Sequence, residues 1–84
     1  MALPTEPVSL SPEQIAELHR KLSAFRHDLN NNLSLIAAAA ELLRHQPQNG
    51  EALLATLTEQ PQKVAAALIT FSRELEAALR ITRP

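Results

Sequence analysis

The chain has 84 residues with a formal charge of −1, enough for at most one domain and too few to bury a large core alone, so assembly is expected. It lacks cysteine, tyrosine and tryptophan, which removes disulfides, thiolate metal sites and aromatic stacking platforms. Its Lys and Arg are scattered, with no basic stripe for nucleic acid. A single glycine, with many Ala, Leu, Glu and Gln, predicts an all-α protein.

Residues 1–10 carry Pro4 and Pro7 without apolar periodicity and read as an extended leader, leaving 11–84 as one helical domain. The start has neither the charge nor the apolar core of a signal peptide. No apolar run is longer than that from Leu35 to Ala40, which is too short to span a bilayer; a cytoplasmic protein with no membrane partner is expected. At Ser11-Pro12-Glu13-Gln14 a hydroxyl cap, a proline at the first helical position and a glutamine three residues after the cap mark a helix start.

From there the apolar positions are Ile15, Leu18, Leu22, Phe25, Leu29, Leu33, Ile36, Ala40 and Leu43. Their spacing is a heptad seam with one extra four-residue step between Phe25 and Leu33, a stutter. Leu22, Phe25, Leu29, Leu33 and Ile36 are predicted to be buried. With Ile15 at a, His27 falls at f, facing water, and Asn31 lies one turn further along the same face. Arg20, Ser23 and Ser34 also lie away from the seam.

Helix one is predicted to end near Gln46, where Arg44 and His45 suit the negative helix end and Pro47 cannot continue it. The short turn Pro47-Gln48-Asn49-Gly50 implies an antiparallel second helix, opening at Glu51 and ending near Thr82. Its predicted seam is Leu54, Leu57, Val64, Leu68, Phe71, Leu75 and Ala78 or Leu79, with a bend at Pro61. The fold expected is an antiparallel two-helix hairpin whose apolar stripes close by homodimerisation into a four-helix bundle. In such a hairpin positions on the two arms sum to about 97, which sets His27 level with Thr70 and near Arg73 and Glu74, while Phe71 joins the arms beneath.

The unusual stretch is Phe25-Arg26-His27-Asp28-Leu29-Asn30-Asn31-Asn32-Leu33. Three consecutive asparagines inside a helix cost about 1–2 kcal/mol relative to alanines, so a merely structural helix would not select them. His19, His27 and His45 are too far apart to chelate from one turn, and no metal or cofactor is expected; His19 and His45 read as solvated surface. Histidine's ring nitrogen is a competent nucleophile toward phosphoryl groups, and an adjacent carboxylate fixes its tautomer and stabilises the positive ring.

This stretch, with Ser34-Leu35-Ile36, the later Ala39-Ala40-Glu41-Leu42-Leu43 and the run Leu68-Ile69-Thr70-Phe71-Ser72-Arg73, resembles the dimerisation and phosphoacceptor domain of bacterial sensor histidine kinases. The resemblance spans about Leu18 to Leu79. It implies His27 as phosphoacceptor, Asp28 as the acid that orients it and takes its proton, and Asn31 as the residue that positions water for hydrolysis of the partner's phosphate. Asn30, Ser34, Thr70, Arg73 and Glu74 would form the docking surface. The family commonly has proline five residues after the histidine, where this chain has Asn32.

Such kinases carry an ATP-binding domain after the hairpin, and no motif here resembles one, nor a P-loop. The implied function is a phosphotransfer module exchanging phosphate with a response-regulator receiver domain, or served by a kinase ATP-binding domain in trans. The alternatives are a non-catalytic dimerisation protein that regulates a kinase or receiver, and a fragment of a longer kinase. Asp28 and Asn31 favour phosphotransfer, since a scaffold has no use for them.

Overall fold

The computed structural model describes residues 2–80, and they form an antiparallel pair of long helices. Helix α1 runs Pro12–His45. Its start is the expected capping box: the Gln14 N–H donates to Ser11 Oγ at 3.1 Å, and the Ser11 N–H donates to Gln14 Oε1 at 2.8 Å. These bonds satisfy two of the donors that a helix start leaves unpaired. At the other end the Gln46 N–H donates to the Leu42 carbonyl at 2.6 Å. Pro47–Asn49 then make one 3-10 turn.

Helix α2 spans Gly50–Ala78, one residue earlier at its start than the sequence suggests. It continues undivided through Pro61, which removes one backbone donor without breaking the helix. At its end the Leu79 N–H still donates to the Leu75 carbonyl at 3.0 Å, and Arg80 has a φ of 56°, in the left-handed region that terminates helices. The predicted end at Thr82 lies outside the described residues.

The seam between the helices differs from the predicted one. On α1 the inward positions are Leu18, Leu22, Phe25, Leu29, Asn32, Ile36, Ala39 and Leu43, an unbroken alternation of three- and four-residue steps. No stutter exists. Leu33 is 50% exposed and Ile15 55% exposed, and Ala40 also faces outward, so these three predicted seam positions are corrected. On α2 Leu53, Gln60 and Ala67 turn inward, whereas Leu54 and Leu68 are 54% and 51% exposed. The physical reason is common to both helices. An uninterrupted heptad keeps the contact line straight along one partner, whereas following every large apolar residue would rotate that line away from it.

Register is fixed by two contacts. The rings of Phe25 and Phe71 stack with centroids 5.1 Å apart and planes within 2°. One turn further from the connection, Lys21 Nζ lies 3.9 Å from Glu74 Oε2. Facing positions therefore sum to about 96, close to the expected value. An aromatic pair of this kind adds about 0.5–1.5 kcal/mol beyond the area it buries.

Only Ala39 and Gln60 are buried among the described residues, at 4% and 6% exposure. Gln60 Oε1 has no hydrogen-bond partner. A buried amide oxygen left unpaired costs about 1–3 kcal/mol. Gln60→Leu is expected to stabilise the hairpin by about 1 kcal/mol in urea unfolding; a lower midpoint would show that the amide is satisfied in solution. Phe71→Ala is expected to destabilise it by about 2 kcal/mol, below the 3–5 typical of a fully buried ring because Phe71 is only partly buried.

Candidate functional site

The unbroken heptad fixes the direction of every residue around His27. With Phe25 and Leu29 inward, His27 projects from the outer ridge of α1, Asp28 leans toward one flank of the hairpin, and Asn31 follows one turn on. The His27 side chain is 79% exposed and that of Asp28 67% exposed. His27 Nδ1 stands 3.7 Å from Asp28 Oδ1, an ion-pair distance rather than a hydrogen bond. The arrangement offers one ring nitrogen to a carboxylate and the other to whatever approaches from solvent.

Asp28 also lines a groove of about 320 Å³ between the helices. Its floor is apolar: Ala24 and Phe25 from α1, Ala67 and Phe71 from α2. Its rim is polar, with Arg20, Lys21 and Asp28 on one side and Thr70 and Glu74 on the other. Asp28, Thr70 and Glu74 are thus brought together across the hairpin. His27 stands on the ridge above them, outside the groove.

The remaining predicted docking residues are placed less compactly. Asn30, Asn31 and Ser34 are exposed on α1 but do not line the groove. Arg73 lies in a shallow depression on α2 with Leu68, Ile69 and Ser72, on its outer surface. The predicted footprint therefore divides into a groove set and an outer set.

Sequence reasoning missed Arg20 and Lys21 as rim residues. The signal was present: Lys21 precedes Asp28 by one heptad, so both lean to the same flank. Arg20 is held by Glu17, with Nε donating to Oε2 at 2.9 Å. That hydrogen bond holds the Glu17 carboxyl below the usual carboxylate range and raises the guanidinium further. The groove is thus edged by a guanidinium already engaged, an ammonium facing Glu74, and the Asp28 carboxylate.

Among the described residues, no cluster of three His, Cys, Asp or Glu side chains is arranged to hold a metal ion, and no helix is long and apolar enough to cross a membrane. No family model, curated protein or solved structure matches this chain.

Proposed function

We propose that the chain is a histidine phosphotransfer module that works as a homodimer, taking phosphate on His27 from a receiver domain's aspartyl phosphate or from an ATP-binding kinase domain in trans. The observation that carries this reading is the exposed imidazole with a carboxylate beside only one of its nitrogens. With Nδ1 protonated and facing Asp28, the lone pair on Nε2 is free to attack phosphorus. The P–N bond forms as the P–O bond to the donor breaks, and the electron pair leaves on the receiver's aspartate carboxylate or, with ATP as donor, on the β-phosphate oxygen of ADP. The positive charge that develops on the ring is stabilised by Asp28.

Asn31, exposed one turn further along α1, supplies an amide that can hydrogen-bond a water or a phosphoryl oxygen at the same face. The groove beside Asp28 gives an approaching protein an apolar floor and a mixed-charge rim. Filling the groove seats the partner against both helices at the level of His27.

The experiment is incubation of the chain with acetyl-phosphate-charged receiver domains from the same organism, following acid-labile phosphate on each protein. His27→Ala is expected to abolish phosphate on this chain while shifting its stability by no more than about 0.5 kcal/mol, as for an exposed ridge position. Asp28→Ala is expected to slow transfer by about a hundredfold, the lower end of the range for loss of a group assisting proton movement. Asn31→Ala is expected chiefly to reduce hydrolysis of the receiver's phosphate. A receiver that binds and is regulated identically by the wild type and by His27→Ala overturns phosphotransfer in favour of an interaction protein.

A further inference from the structure

We propose that Asn49 is a modification site: it deamidates spontaneously through attack by the Gly50 nitrogen, at a pace set by opening of the connecting turn. The inference goes beyond the phosphotransfer reading and is independent of the chemistry at His27. It begins from a glycine that the fold does not require. Gly50 is the chain's only glycine, yet its φ of −56° and ψ of −41° are ordinary right-handed helical values open to any residue with a side chain. A Cβ at this position would lie 3.8 Å from Leu43 Cδ1, an ordinary van der Waals contact. Alanine would therefore fit, and would lose less backbone freedom on folding. What the missing side chain does change is the access of the Gly50 nitrogen to the residue before it.

That residue carries a side-chain amide one carbon from the backbone, so attack by the next nitrogen closes a five-membered ring. The Gly50 nitrogen gives up its proton to solvent base and bonds to Asn49 Cγ. The Cγ–Nδ2 bond breaks, and Nδ2 leaves with its electron pair and a proton as ammonia. Water then opens the cyclic imide at either carbonyl, giving aspartate or isoaspartate and one more negative charge. The chain's other asparagines, Asn30, Asn31 and Asn32, lie inside α1, and each is followed by a residue with a Cβ. Asn49 alone is both exposed in the connection and followed by glycine.

The closed turn holds both reacting groups. The Gly50 N–H donates to the Pro47 carbonyl, and Asn49 Nδ2 donates to Gln46 Oε1 at 3.1 Å. Each of these bonds has to break before the nitrogen can lose its proton and Cγ can swing onto it, so the reaction runs from the locally opened turn. Little resists that opening, because neither the 3-10 turn nor α2 begins with a side-chain cap bond. The two products then differ in effect. Aspartate keeps the main chain intact and sets a negative charge at the positive end of α2, where Asn49 is the N-cap. Isoaspartate routes the main chain through the side chain, adding a methylene that carries the Gly50 N–H away from the Pro47 carbonyl and loosens the reversal.

The test is incubation of the full-length chain in mildly alkaline buffer, folded and in urea, followed by tryptic mapping of residues 45–63 and 27–44. Isoaspartate is counted by methyl transfer from S-adenosylmethionine with an isoaspartyl methyltransferase. Aspartate and isoaspartate are expected at position 49 in the folded chain, severalfold faster in urea, with none at positions 30–32. Gly50→Ala is expected to slow the conversion severalfold in both conditions, and its urea arm reads the chemistry even if the variant folds poorly. A folded chain that keeps Asn49 intact while the unfolded one is converted overturns the proposal, as does a Gly50→Ala chain converted as fast as the wild type. Equal rates with and without urea overturn the control by turn opening.

Discussion

The stack of Phe25 on Phe71 is the contact on which the geometry of the molecule depends. A three-residue turn alone holds two helices of 34 and 29 residues together at one end only. The aromatic pair, far from that turn, fixes how the arms slide past one another, and a shift by one residue would rotate every heptad position off the seam. Because Phe25 lies two residues before His27, the same contact sets the height of the imidazole against α2, level with Ile69 and Thr70.

Around that register the two flanks of the hairpin divide the work. One gathers charge above an apolar floor, beside the exposed imidazole of His27; the other is free of charge where 27–43 of α1 faces 53–69 of α2. Surface ion pairs such as Lys21 with Glu74, each about a third exposed, contribute little to stability. Their effect is on shape and selectivity, since they keep the groove rim polar and discourage a second hydrophobic surface from settling there.

Much of this was legible in the sequence. Ser11, Pro12 and Gln14 announced the helix start, Pro47 and Gly50 the reversal, and the position of His27 two residues beyond Phe25 its exposure. The seam was misread at Leu33, Ala40, Leu54 and Leu68 because periodicity records where large apolar residues occur, not which neighbour each one faces. Large apolar residues lie on more than one side of each helix, and a pattern that picks only the largest wanders between those sides. Asn32, Ala39, Gln60 and Ala67 were overlooked for the converse reason: small or polar residues carry no hydrophobic signal even when sterics and straight packing draw them inward. The groove was invisible because it depends on residues from both arms at matched height.

Pro61 has a consequence for how the molecule breathes. Without its N–H the Leu57 carbonyl lacks its helical donor, and Gln60, beside it, holds an unpaired oxygen in the seam. The weakest part of α2 is therefore its middle, between the connecting turn and the aromatic stack. Slower amide exchange is expected in the half clamped by Phe71 than in the half next to the turn. Torsion introduced at the turn is absorbed at this soft joint, so the imidazole and its groove ride on the more rigid end of the hairpin.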